Sequence, residues 1–405
     1  MRILIISKYA SSYENGFESR FFALSRRFVK LNHEVNIISS DSSHFGHYPE
    51  YNKIYNFSKI DDINVLRIKT TKYKKSISLL RVLSWIDFEI KLFFAPLKKV
   101  QKPDIILVSS LSLITILNGL ILRKKFKAKL IFEIRDIWPL TMVVEGGYSK
   151  WNPFIILLSI VEKMGYKYAN IVIGTMPNLK QHVFNVTNNK KIKCDYVPFG
   201  YDQDFFKSNN KSVLELRNKF NIPNDKFIIG YAGSIGLSNG LDAIIECTKL
   251  MQGNPKFHFV FLGKGGMVEE YKSKTSEQSN IQFIPSVERS EVSDFLQACD
   301  ILYFSSLKSE IWEYGWSPNK LIDYMMSGRM VLASYSGYQS MINEAKSGIF
   351  IPAEDPFAIQ DSLLEIISMS NEERIKMGSS GKKWIQENRN WDDVAKKYLQ
   401  IMSQL

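Results

Sequence analysis

The sequence has only three cysteines, Cys194, Cys247 and Cys299, too few and too scattered for a disulfide framework or a cysteine zinc site. That scarcity points to a reducing compartment. The opening residues, MRILIISKYA, lack a long apolar stretch, so no secretory signal is expected. Several chemistries are missing as motifs: there is no GxSxG elbow, no HExxH and no GxxxxGK[ST] loop. The dinucleotide fingerprint GxGxxG is also absent. Long apolar runs are scarce too. Residues 105–122 approach spanning length but include Ser109, Ser110, Ser112, Thr115, Asn118 and Gly119. They read as a buried strand, a Ser-rich turn and a core-facing helix, with a membrane span as the alternative.

What is present can build real cores: 45% of the 405 residues are hydrophobic and 13% aromatic, which excludes a disordered chain. This length normally makes two domains. The net charge of +12 is unevenly placed. Residues 1–200 hold 31 Lys and Arg against 15 Asp and Glu, whereas residues 201–405 hold 22 against 26. A +16 half followed by a −4 half suggests two domains with different partners. The basic half fits an anionic membrane, a nucleic acid or a phosphorylated substrate equally well.

Apolar runs of strand length alternate with amphipathic segments of helix length. In the first half strands are expected at 2–7, 34–39, 64–69, 104–109, 129–134, 170–174 and 194–198. Helices are expected near 18–31, 79–100, 111–125, 152–168 and 178–187. Ile and Val at consecutive positions mark parallel strands buried on both faces. FIIGYAG, FHFVFLG, IQFIP, DILYFSS, MVLAS and GIFIP repeat the scheme in the second half. The expected fold class is α/β, with two doubly wound Rossmann-like domains facing a central cleft. The expected domains are 1–198 and 199–389, with a final helix at about 390–405 returning to the first. The turn Pro198-Phe199-Gly200-Tyr201-Asp202 would serve as the hinge between them.

Candidate site residues fall in the loops after strands, where ligands of such sheets bind. The first loop carries Gly16 just before a helix, where backbone amides can approach an anion. In the second half, Gly233-Ser234-Ile235-Gly236 and Gly263-Lys264-Gly265-Gly266 are similar loops, each of which alone could be an ordinary turn. Segment 310–328 places Pro318 at a helix start, with Ser317, Asn319 and Lys320 beside its free amides. Asp323 follows one turn later, suited to accept two ribose hydroxyls while the helix start holds phosphates. The alternative is an N-capped helix with an exposed Lys and Asp. In the first half, Glu133, Arg135 and Asp136 end a buried strand and are expected to point into the cleft. A structural Arg–Asp pair is the alternative there. Asp202 and Asp204 read as DxD but lie in the interdomain turn, so no metal is expected. His44, His47 and neighbouring tyrosines of 41–58 form a polar, aromatic excursion. The basic runs 72–75 and 123–129 are either solvated or dock onto anionic lipid.

Taken together, FEIRDIWP and YGWSPNKLIDYMMSG, with the YAGSIG loop, the Asn-Gly-Phe loop and VPFGYD, give a resemblance. The chain resembles the retaining family 4 glycosyltransferases of the GT-B fold, within them the bacterial enzymes of O-antigen and capsule assembly. The resemblance implies a sugar, with N-acetylated amino sugars among the candidates, moved from a UDP-sugar to a polyprenyl-diphosphate-linked acceptor. It implies no cofactor beyond the donor. It places the protein in the cytoplasm, peripheral on the inner face of the plasma membrane, with no nucleic-acid partner. The family's Glu-x7-Glu motif binds the donor. Asp323 stands at its second position and Gly315 at its first, where Glu313 or Glu310 could substitute. Ser234 and Asn239 stand where the family carries Arg and Lys, which leaves Lys320, Lys264 and Arg289 as cations for the diphosphate. Arg135 replaces a common histidine before Asp136, and Val287 joins the implied substrate-binding set.

The chemistry implied is electrostatic: Lys320 and the amides of both glycine loops stabilise the departing diphosphate, and Asp136 orients the acceptor. A nucleotide-sugar epimerase on the same fold and a non-catalytic basic membrane-binding module are the competing readings.

Overall fold

The computed structural model describes all 405 residues except 14–18, 44–47, 74–77, 202–210 and 317. Gly16, Ser317, the Asp202/Asp204 pair, His44 and His47, singled out above from the sequence, therefore lie outside the described residues. The chain divides into two compact units, Met1–Gly200 with Trp391–Leu405, and Tyr201–Asn390.

The first unit is built on an eight-stranded sheet. Its strands are β1 (Arg2–Ile6), β2 (Glu34–Ser40), β3 (Tyr55–Ile60), β4 (Ile63–Ile68), β5 (Ile105–Ser109), β6 (Lys129–Ile134), β7 (Ile171–Gly174) and β8 (Cys194–Tyr196). They lie in the order β3-β4-β2-β1-β5-β6-β7-β8, and every pair is parallel except β3 with β4. The central strands are buried on both faces, as their Ile and Val runs require. The helices are α1 (Arg20–Lys30), α2 (Leu79–Phe93), α3 (Thr115–Phe126), α4 (Leu140–Val144), α5 (Pro153–Tyr168) and α6 (Leu179–Thr187).

The antiparallel strand β3 was not expected from the sequence. Asp61 and Asp62, both with positive φ (48° and 63°), make a two-residue turn that pairs Ile60 with Ile63. Two central residues at positive φ give the turn that matches strand twist. The excursion expected over 41–58 thus ends in an edge strand. The helix expected over 79–100 stops at Phe93, because the chain turns at Ala95-Pro96 and continues as a short 3-10 turn, Leu97–Lys99.

The second unit carries β9 (Phe227–Ala232), β10 (Phe257–Leu262), β11 (Ile281–Ile284), β12 (Ile301–Ser305), β13 (Met330–Ser334) and β14 (Gly348–Ile351). All are parallel, in the order β11-β10-β9-β12-β13-β14. Its helices are α7 (Val213–Lys219), α8 (Asp242–Leu250), α9 (Val268–Lys274), α10 (Arg289–Ala298), α11 (Asn319–Met326), α12 (Pro356–Ser368) and α13 (Asn371–Asn388). Both units are therefore parallel-sheet α/β domains of the Rossmann type.

The last helix, α14 (Trp391–Ser403), belongs to the first unit and packs along α1. Phe21, Phe28, Val394 and Tyr398 share one core with Ile3, Ile5 and Ile37 of the sheet. Successive strands run the opposite way across the sheet from β5 to β7, so right-handed crossovers put α2, α3 and α5 on the other face. Among the described residues no helix is long and apolar enough to cross a membrane.

Candidate active site

In the second unit, the carboxyl ends of β9 and β10 lie side by side, and so do the two glycine loops that follow them. Gly233 N donates to Leu262 O at 3.0 Å, Ile235 N to Lys264 O at 3.0 Å and Met267 N to Ile235 O at 3.1 Å. This close stacking requires glycine. A Cβ on Gly263 would lie 1.9 Å from Gly233 O, and one on Gly265 would lie 2.0 Å from Ile235 O. The amides of Gly233 and Ile235 are used between the loops, and that of Gly263 donates to Ile284 O at the end of β11. The loops' remaining amides are the ones left for an anion. Among the described residues, the amides of Ser234, Gly236, Lys264, Gly265 and Gly266 have no backbone acceptor.

Lys320, in the first turn of α11, reaches back to this place. Its Nζ donates to Asn239 Oδ1 at 2.6 Å and to Tyr231 Oη at 3.0 Å, and lies 4.8 Å from the centre of the Tyr231 ring. It would be 3.3 Å from a Cβ on Gly233. Both partners are neutral, and among the described residues no carboxylate forms an ion pair with it. Burial alone lowers its pKa to about 8. The Tyr231 hydroxyl donates a hydrogen bond to Ser234 O at 2.6 Å, which leaves its lone pairs to accept from the ammonium. Neither Tyr231 nor a positive role for Asn239 was anticipated. The only signal available was the aromatic residue at the end of FIIGYAG.

Asp323, one turn further along α11, is buried and held by Arg289 at the start of α10. Arg289 Nη1 lies 2.5 Å from Oδ2, and Nη2 lies 2.7 Å from Oδ1. Burial raises the Asp323 pKa, against the pull of Arg289. Arg289 thus meets the carboxylate proposed for ribose, whereas it was expected among the cations for the diphosphate. Val287 is half-buried just before it, in the connection from β11. Ser234, Lys264 and Asn319 are exposed. Glu313 is exposed on the 3-10 turn Glu310–Tyr314, which ends at Gly315 (φ 89°). That turn is anchored by Trp312, stacked on Trp316 at 4.5 Å and accepting at its carbonyl from Tyr335 Oη at 3.0 Å.

In the first unit, the three charges of FEIRDIWP part company. Glu133 is fully buried, paired with Arg20 at 3.2 Å and hydrogen-bonded by the Tyr398 hydroxyl. It faces the α1–α14 side, so its expected place among ligand-facing charges is corrected. Strand alternation puts Arg135 on the same side, its guanidinium 4.9 Å from the Phe199 ring centre. Asp136 keeps a face open to solvent, yet loss of hydration raises its pKa against the pull of Arg135 and Arg81. Trp138, Trp85 and Tyr9 stand near this end of the sheet: the two indoles meet edge to face at 5.4 Å, and Trp85 Nε1 donates to Tyr9 Oη at 2.6 Å.

This arrangement can be set against known proteins. Residues 212–384 match the family described as Glycosyl transferases group 1. The match lies within the second unit, over the glycine loops, Lys320 and Asp323. With the two-unit architecture, it supports a glycosyltransferase of the GT-B fold. An uncharacterized glycosyltransferase of Methanocaldococcus jannaschii is 23% identical over 299 residues, covering 72% of each chain. The putative colanic acid biosynthesis glycosyl transferase WcaI of Escherichia coli is 24% identical over 268 residues, covering 62% of this chain and 64% of its own. Sucrose-phosphate synthase of Thermosynechococcus elongatus superposes with a TM-score of 0.76 at 16% identity, covering 100% of this chain and 98% of its own. HepE of Anabaena, solved in complex with UDP-glucose, superposes at 0.67 and 12% identity over the full length of both chains.

Proposed function

We propose that this chain is a retaining, metal-independent glycosyltransferase that moves a sugar from a UDP-sugar to a polyprenyl-diphosphate-linked acceptor in bacterial surface-polysaccharide assembly. The observation that carries the proposal is Lys320: a cation largely removed from water, held by two neutral oxygens, beside open amides at the carboxyl edge of a parallel sheet. Such a group lacks an anion, and a diphosphate supplies one. The UDP-glucose complex of HepE supports a uridine nucleotide, and the name of WcaI supports a polysaccharide pathway.

In this reading the bond from the anomeric carbon to the diphosphate ionises. Lys320 and the open amides of the two loops neutralise the charge gathering on the leaving phosphate. Asp323 accepts the ribose hydroxyls with the lone pairs that Arg289 leaves free. Asp136 orients the acceptor hydroxyl, and loss of hydration, which raises its pKa, makes it a better proton acceptor than a fully hydrated carboxylate. Entry of that hydroxyl on the face vacated by the diphosphate gives retention, with no protein nucleophile. Lipid-linked acceptors place the protein on the inner face of the plasma membrane.

The test is UDP release from UDP-sugars with and without a polyprenyl-diphosphate-linked saccharide, and the anomeric configuration of the product by NMR. Acceptor-dependent release with retention is expected, with Lys320→Ala lowering turnover by about two orders of magnitude or more. Interconversion of the donor without acceptor would overturn the reading in favour of an epimerase.

A further inference from the structure

An amphipathic surface helix buries one apolar stripe and presents polar residues outward. Helix α2 does not. Its inner stripe, Trp85, Phe88 and Leu92, is buried in the first unit. Its outer stripe is apolar as well: Leu79, Leu83, Ile86, Ile90 and Phe93 recur at spacings of three and four residues, and all are exposed. Leu80 and Phe94 extend the stripe sideways, and Leu79 is 84% and Phe94 70% exposed.

Helix α5 repeats the pattern. Ile155, Leu158 and Val161 are buried, while Ile156, Leu157 and Ile160 face outward. Just before it, Trp151 is 86% exposed. Helix α3 packs between α2 and α5 and adds exposed Ile121. Three neighbouring helices on one face of one sheet thus present apolar side chains to water. Soluble monomers rarely do this over more than a few hundred Å².

Basic residues predominate at the ends of α2 and α3. Lys98, Lys99 and Lys102 follow α2, and Lys124, Lys125 and Lys127 end α3, all exposed. The carboxylates of the three helices are not available to balance them. Asp87 bonds Lys91 and Thr71, and Glu89 and Glu162 are buried. A second copy of this chain would set lysines against lysines, whereas an anionic bilayer complements both the apolar stripes and their basic border.

We propose that the outer face of α2, α3 and α5 is a docking surface for an anionic lipid bilayer, inserted to the depth of one helix face, with Trp151 at the headgroup level. The choice of occupant rests on the reading of a lipid-linked acceptor. Helix α2, at 15 residues, lies in the interface plane and does not span it.

Flotation of the full-length protein with liposomes tests this, using phosphatidylethanolamine with about 30% phosphatidylglycerol against phosphatidylcholine alone. The wild type should float with the anionic vesicles at least about tenfold better. Leu83→Ser/Ile86→Ser/Ile90→Ser should lose about tenfold or more of that partition. UDP affinity by calorimetry, a property assigned to the second unit, should not change. If that variant also loses UDP binding through misfolding, Ile156→Ser/Ile160→Ser and Lys124→Glu/Lys125→Glu decide by the same readout. Flotation unchanged by these variants, absent in the wild type, or replaced by a dimer that they disperse in sedimentation velocity would overturn the proposal. Failure of UDP binding in the wild type would instead strike the glycosyltransferase reading and leave the docking result standing.

Discussion

Arg289 grips both carboxylate oxygens of Asp323, at 2.5 and 2.7 Å, across 34 residues of sequence. Burial raises the Asp323 pKa, and the Arg289 guanidinium opposes that rise. If the ionised form receives the ribose hydroxyls, removing the guanidinium should move the acid limb of nucleotide affinity. Arg289→Ala is expected to shift the fall of UDP affinity to higher pH, with a greater loss at pH 6 than at pH 8. Calorimetric titrations from pH 5 to 8 read this directly. An unmoved acid limb would remove Asp323 from the ribose.

Lys320 carries the opposite pH signature. Its pKa is about 8 without an anion, and a bound diphosphate should raise it. Binding then takes up a proton above pH 8, and UDP affinity declines as pH rises through that value, up to about tenfold per unit. Calorimetry in buffers of different ionisation enthalpy should show that uptake at pH 8.5 and none at pH 6.5. Lys320→Arg should not restore full affinity, because the Tyr231–Asn239 socket suits a compact ammonium better than a planar fork.

The sheets were legible because parallel strands buried on both faces need unbroken apolar runs, which FIIGYA and FHFVFL display without context. Strand β3 was not, since its edge position leaves it exposed and polar. The same distinction governs the site. Lys320 and Asp323 could be read from helix spacing within one segment. Tyr231, 89 residues from Lys320, sits in an apolar strand where an aromatic reads as core. Glu133 looked like a ligand-facing charge because its neutralising partners, Arg20 and Tyr398, lie 113 and 265 residues away. Local periodicity carries no information about such pairs.

The two glycine loops are expected to be intolerant of a methyl group. Gly263→Ala would drive a Cβ into Gly233 O from a backbone at φ 153°, where L residues are strained. Overpacking and strain together should cost about 3 kcal/mol, and the second unit's melting temperature should fall by about 5–10 °C. Gly236→Ala, whose Cβ would meet Ser234 Oγ at 3.6 Å, is the control and should change it little. Differential scanning calorimetry with and without UDP checks both, and equal melting of the two variants would refute the stacked-loop account.

Lys8 and Glu89 should give the first unit a stability minimum near neutral pH. Lys8 is buried, with Nζ donating to Ser84 Oγ at 2.9 Å and Ser40 Oγ at 3.3 Å, and burial lowers its pKa to about 7. Glu89 is buried among Ser112, Thr115 and Asn118, and burial raises its pKa to about 7. Between the ordinary carboxyl pKa of 4.5 and 7, the folded state holds a proton on Glu89 that the unfolded chain has lost, so stability falls as pH rises. Between 7 and 10.5 the unfolded chain holds a proton on Lys8 that the folded state has lost, so stability rises again. Glu89→Gln should flatten the acid arm and Lys8→Met the alkaline arm, each removing a slope of up to about 1.4 kcal/mol per pH unit. Chemical denaturation of each variant from pH 5 to 10 separates the arms. Parallel curves for wild type and both variants would show that these groups do not titrate in the folded protein.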